Sequence, residues 1–403
     1  MGGLCLWGAG AQIGEAVAAV GMGLTVVGLA WTRVPWRAWR PFWPIGLYVG
    51  WALLAPLLAG AWPSGAGFFR TLDWAFVAAG ALAFAELDER GRRTVAIACG
   101  AALLVSCLVA ALQFFGAWPS REAMQPFAFL RLPFDRVYEP ASAGSTSHFM
   151  AGGLLFHRLK FAGVSGVFAL WAVTLAVQQR GRERVAAAVV AVAGVLSVLI
   201  FPVVRAAALA LLAAVAFTAA VASAQRRAAF ALGIGLLALG GAVAALNPEL
   251  RARVASASSV MGDEDRVFLR RAALTAFMRH PLVGLGAGRY RAADYMSPDA
   301  PASVHTHQGK AHLQILSVAV EAGIPGAALF VAMLIWLAKQ LWPRGAAGLG
   351  VLLYLAVMGL LHDPLFHAET SMAVAFTLAA ALGVWPDQFT GNAFNSYGGE
   401  NRE

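Results

Sequence analysis

Residues 312–341, HLQILSVAVEAGIPGAALFVAMLIWLAKQL, decide what kind of fold this chain has. About 20 consecutive apolar residues are enough for a helix to cross a hydrocarbon layer of ~30 Å, and this run is longer. It is a membrane helix, and an odd one. His312 stands at its mouth, after Lys310, and Glu321 sits inside it among valines and alanines. Glu321 falls about half a helical turn around from His312 and roughly 13 Å deeper, so the two do not share a face. A carboxylate at that depth is expected to pair with another helix or to stay protonated. Gly323, Pro325 and Gly326 just beyond it predict close helix packing with a kink.

The same pattern recurs along the chain. Of 403 residues, 60% are hydrophobic and only 13% charged, far from the balance of a water-soluble domain. Apolar blocks fall near residues 12–31, 42–60, 71–87, 94–116, 148–178, 185–202, 205–223, 228–247, 312–340, 345–362 and 368–386. Lipid offers the backbone no hydrogen-bond partner, so helices are expected, and the alternating strands of a barrel are absent from the sequence. The predicted fold is an all-α polytopic bundle of about 11 spans, or about 12 if the first block is a tight hairpin. That first block, GLCLWGAGAQIGEAVAAVGMGLTVVGLAW, has no basic region before it and no cleavage site, so it is expected to be retained in the membrane. Cys5, Cys99 and Cys107 lie in apolar stretches and fit packing residues better than a disulfide or metal site.

The short loops TRVPWRAWR, LDERGRR, QQRGRER, AQRR and KQLWPRG are rich in Arg and Lys and fall on one side when the spans alternate, which makes that side cytoplasmic. Segments 117–147 and 248–311 then face outward, to the periplasm in a bacterial inner membrane. The expected organisation is N-terminal membrane helices over 1–247, an outer loop over 248–311, C-terminal membrane helices over 312–386 and a polar, Gly- and Asn-rich tail over 387–403. No internal repeat is visible.

The loop 248–311 carries Arg251, Arg253, Arg266, Arg270, Arg271, Arg279, Arg289, Arg291 and Lys310 against Glu249, Asp263, Glu264, Asp265, Asp294 and Asp299. An ordinary solvated loop accounts for that composition, as does an anion site, since guanidinium groups suit phosphate through planar paired donors. Within DEDRVFLRRAALTAFMRHP, apolar and basic residues at helical spacing follow an acidic start, which predicts an amphipathic helix lying on the membrane. Arg266 and Arg270, four apart, share a face of it. Pro281 stops the helix, and Gly284, Gly286 and Gly288 free the backbone to turn or to approach a ligand closely. No strand precedes these glycines, which excludes a dinucleotide fold.

DRVFLRRAALTAFMRHPLVGLGAGRY, followed after a gap by AHLQILSVAVEAGIPG, resembles the signature region of the O-antigen ligase and polymerase family. The matching positions are Arg266, Pro281, Gly284, Gly286, His312, Glu321, Gly323 and Gly326, and Arg205 in LIFPVVRAAALALL matches an arginine at the outer end of a central helix. Leu313 stands where the family often has Asn, and Arg270 where it often has Trp. His305 and His307 lie near His312, but only the His312 register keeps the Glu and both glycines in place. The resemblance covers about 60 residues tightly. It implies a GT-C-like, periplasm-facing glycosyltransferase that takes a glycan from undecaprenyl pyrophosphate. A ligase passes that glycan to the lipid A core oligosaccharide, whereas a polymerase adds repeat units to one another. One dominant outer loop near the C-terminal third looks more like the ligase. Membrane lipids are further expected partners; nucleic acid is not.

Breaking a glycosyl pyrophosphate puts growing negative charge on the departing phosphate, which fixed cations stabilise. Arg205 and Arg266 are the candidates, helped by Arg270, Arg289, Arg291 and Lys310, with the Gly286 and Gly288 backbone near the ligand and no metal or cofactor required. Arg205 near the hydrocarbon edge is costly unless it faces a cavity or partner, or snorkels to the surface. A neutral His312 could take the proton of the acceptor hydroxyl; in isolation an interfacial histidine bonded to water explains it as well. His362, Asp363 and His367 in LLHDPLFHAET read as a polar turn more readily than as metal ligands, and Tyr138, Glu139 and His148 are candidates for the acceptor path. A lipid-linked glycan transporter, the rival of another class, would show repeat symmetry or paired broken helices at the midplane.

Overall fold

The computed structural model describes residues 1–60, 62–117, 148–221, 235, 264–298, 300, 310–344 and 346–383. The chain is an all-helical polytopic bundle. Its helices are α1 Gly2–Gly10, α2 Glu15–Trp31, α3 Trp43–Leu58, α4 Gly65–Ala85, α5 Glu89–Phe114, α6 Arg158–Gln178, α7 Gly181–Ile200, α8 Arg205–Val221, α9 Glu264–Arg279, α10 Gln314–Leu341, α11 Ala346–Leu361 and α12 Ala368–Gly383. Among the described residues six helices are long and apolar enough to cross a membrane, and α2, α8, α11 and α12 are shorter apolar helices. Ten of the apolar blocks are therefore helices; the block at 228–247 lies outside the described residues, as do Arg251, Arg253, Asp263, Tyr138, Glu139, His305, His307 and the tail.

The first block is the tight hairpin. α1 and α2 pack antiparallel, so closely that a Cβ on Gly21 would fall 2.1 Å from the Trp7 nitrogen. The block expected at 148–178 divides: residues 148–157 are irregular and α6 begins only at Arg158. Backbone of that kind is tolerated near lipid only when its polar groups are satisfied by protein. The fully buried Gln113 of α5 does this, accepting from the Gly152 amide and donating to the Gly153 carbonyl, both at 3.0 Å.

Short links and side-chain caps set helix direction. Ser64 caps α4 and Asp88 caps α5, accepting from Gly67 and Gly91 amides at 3.0 and 2.7 Å. The basic loops gather at one end of the bundle: Arg93 of α5 meets Glu183 of α7 at 3.3 Å, Phe42 before α3 meets Trp336 late in α10, and Gly383 at the end of α12 packs on Phe84 at the end of α4. AQRR at 224–227 lies outside the described residues. Gly350 of α11 abuts Thr218 near the end of α8, so the start of α8, with Arg205, is at the same end as the exit of α11. That second end carries the polar cluster described next.

Candidate active site

Four elements converge at this end: α9, the glycine turn after it, the mouth of α10 and the turn between α11 and α12. His312 is not itself helical. α10 starts at Gln314, and His312 adopts the left-handed conformation, φ 53°. The helical phase relation between His312 and Glu321 expected from the sequence therefore does not apply. A left-handed non-glycine residue costs on the order of 1 kcal/mol, so something must hold it there.

Three contacts do so. The His312 amide donates to Asp363 Oδ2 at 2.6 Å, Arg270 Nη2 donates to the His312 carbonyl at 3.4 Å, and His312 Nδ1 lies 3.2 Å from His362 Nδ1. The other Asp363 oxygen accepts from Ser317 Oγ at 2.8 Å, and the Gln314 side chain accepts from the Leu365 amide at 3.1 Å. The turn at 362–367 is thus bolted to the mouth of α10. Among the described residues no group of three or more His, Cys, Asp or Glu is placed to hold a metal ion.

Burial and charge set the protonation of the turn. Burial pushes the Asp363 carboxyl above its usual range, opposed by the bonds from Ser317 and His312. Burial likewise pushes His362 well below the ordinary histidine range, reinforced by the neighbouring His312, Arg266, Lys310 and Arg158. His367 is lowered by burial, then by Lys310, His157, Lys160 and His362. Both rings are held neutral.

α9 buries one face in the cluster. Leu269, Ala272, Ala273 and Ala276 are buried against Tyr290, Ala311 and Val320, while Val267, Leu274 and Met278 are exposed. Arg266 and Arg270 are half-buried; Arg270 donates to the His312 and Leu360 carbonyls, and the charge of Arg266 acts on His362. Arg205, half-buried, opens α8 at the same end.

Glu321 forms a separate tie. Its carboxylate meets Arg70 of α4 at 2.5 Å and accepts from the Gly288 amide at 2.9 Å, while its carbonyl accepts from the Gly286 amide at 2.8 Å. The glycine turn is laid against α10 at its kink. A Cβ on Gly323, φ 69°, would fall 2.1 Å from the Leu282 carbonyl oxygen, and one on Gly288 1.9 Å from Ser64 Oγ. The Gly286 and Gly288 amides are accordingly spent on Glu321. Arg289 Nε donates to the Trp62 carbonyl, and Arg289 and Arg291 are exposed at the rim. Lys310 reaches His367, Nζ to Nε2 3.4 Å. His148 packs on Phe114, ring centroids 4.9 Å apart.

Sequence reasoning passed over four residues of this region. Arg70 fell just outside the expected third block at 71–87, yet it pairs with Glu321 and lies 3.8 Å over the Phe366 ring. His157, Arg158 and Lys160 were absorbed into a long apolar block. The signal was present: HRLK is a basic run set inside an otherwise apolar block.

Fold and cluster together define a multi-pass helical membrane protein with a cationic, histidine-bearing site at one end. Residues 191–331 match the family model of O-antigen ligase. The match takes in Arg205, Arg266, Arg270, His312 and Glu321 and ends before His362, Asp363 and His367. It indicates a membrane enzyme of glycosyltransferase type that works on lipid-linked glycans in general. No curated protein matches the chain.

Proposed function

We propose that this chain is an O-antigen ligase of the bacterial inner membrane, active on the periplasmic face. It transfers a polysaccharide from undecaprenyl pyrophosphate to the lipid A core oligosaccharide, with inversion and without a metal. The observation that carries this is the meeting of His312 with the arginines of α9 and the neutral His362 in one half-buried cluster.

The acceptor oxygen bonds to the anomeric carbon as the C–O bond to the diphosphate breaks, the electron pair leaving on the phosphate oxygen. Arg266 and Arg205 stabilise that charge, Arg270 supports them, and Arg289 and Arg291 steer the polyanion from the rim. His312 takes the hydroxyl proton. A neutral His362 accepts from His312 Nδ1–H, which fixes the tautomer whose Nε2 is the base. Gly286 and Gly288 serve by holding the turn that carries Arg289.

The test is purified protein with lipid-linked donor and lipid A core, run with chelator and resolved on a gel. The expected product is core bearing glycan, lost in His312→Ala, Arg266→Ala and Arg205→Ala proteins that still reach the membrane. An active His312→Ala protein would remove the base assignment, and arrest by chelator would remove the metal-free scheme. Growth of the glycan on the donor lipid would make the chain a polymerase.

A further inference from the structure

Two cationic poles flank the His312–His362 pair. The first is α9, with Arg266 and Arg270. The second lies where the turn between α11 and α12 meets the start of α6. There Lys310 Nζ stands 3.4 Å from His367 Nε2, and the His367 ring packs against His157 with centroids 5.4 Å apart. Lys160 Nζ is held by the buried Glu369 at 2.6 Å, and Arg158 reaches back to the sulfur of Met150 at 2.7 Å. The His157 Nδ1 accepts from the Lys160 amide at 3.4 Å, so the proton of a neutral ring is on Nε2.

The turn spans both poles. His362 feels Arg266, Lys310 and Arg158, whereas His367 feels Lys310, His157 and Lys160. In an inverting displacement the nucleophile enters on the face opposite the leaving group. With the diphosphate on the α9 pole and His312 as the base, the acceptor must enter from the second pole. Ammonium and imidazole donors grouped in this way suit a compact anion.

Resting on the ligase reading, we propose that Lys310, His157, Arg158 and Lys160, backed by His367, form an acceptor subsite. It binds a phosphoryl group on the acceptor saccharide near the hydroxyl that reacts. Lys310 on this account serves the acceptor, not the donor.

The test uses the full chain in lipid nanodiscs, with native lipid A core and with the same acceptor after phosphatase treatment. Lys310→Gln and His157→Gln are each expected to raise the acceptor KM about tenfold, as loss of a charge-assisted bond does, with the donor KM within about twofold. On the phosphatase-treated acceptor, wild type should fall to the level of the variants. Lys310→Arg should keep the native acceptor KM. A rise in donor KM instead, or a wild type indifferent to phosphoryl removal, overturns the subsite. If Lys310→Gln does not fold, His157→Gln decides alone. Failure of the ligase reading looks different, because wild type would then glycosylate neither acceptor.

Discussion

His312 and Glu321 belong to one segment of chain and have opposite fates. His312 is half-buried, backbone-strained and held by its amide and carbonyl, with its ring set against His362. Glu321 is buried and has both carboxylate oxygens and its carbonyl committed to Arg70 and the glycine turn. The two thus differ in how they are held, Glu321 through its side chain as well as its backbone and His312 chiefly through its backbone. Substitutions at the two should differ in kind.

The largest effect is expected at the mouth. His312→Ala should reduce the transfer rate by about 10²- to 10⁴-fold, the usual worth of a general base, with the melting temperature in detergent nearly unchanged. A melting point that collapses along with activity would erase the distinction from Glu321. Next comes Glu321→Gln, which leaves Arg70 facing a neutral amide in a buried site. A broken buried pair costs about 3–5 kcal/mol, so thermal melting should drop sharply and activity should track the folded fraction. Restored melting in Glu321→Gln/Arg70→Met, where the orphaned cation is removed too, would sharpen the case for a scaffold pair.

Acid should act through the turn. His362 and His367 are held below the ordinary histidine range, so the unfolded chain binds more protons than the folded one as pH falls below about 6.5. Stability is therefore present above that range and lost as pH falls. Asp363, shifted upward, works in the other direction and offsets part of the loss. A His362→Gln protein should lose stability less steeply between about pH 7 and 5, which thermal melts across pH can measure. The smallest effect is expected for Arg291→Ala at the exposed rim, a change in donor KM of about two- to threefold that vanishes at high salt.

The sequence made the bundle legible because span length and apolar content are local properties. It also singled out His312, Arg266 and Arg270, which lie in a compact run of chain whose spacing survives folding. The partners of these residues were less visible. Asp363 and His362 reach His312 from about 50 residues away, and Arg70 reaches Glu321 from about 250, across helices whose pairing leaves no mark in either stretch. The irregular entry to α6 was hidden for another reason: residues 148–157 are apolar enough to pass for helix, and only the Gln113 bonds show that they are not.

Trp7 of α1 has a bearing beyond the site. Its indole, fully buried, donates to the Met372 carbonyl of α12 at 3.0 Å and packs on Phe376, closing a contact across 365 positions of chain. A helix of 9 residues is too short to hold a membrane position alone. The Trp7–Met372 contact can form only once α12 has been made. A chain arrested before α12 would lack Met372 and leave the buried Trp7 indole without that acceptor.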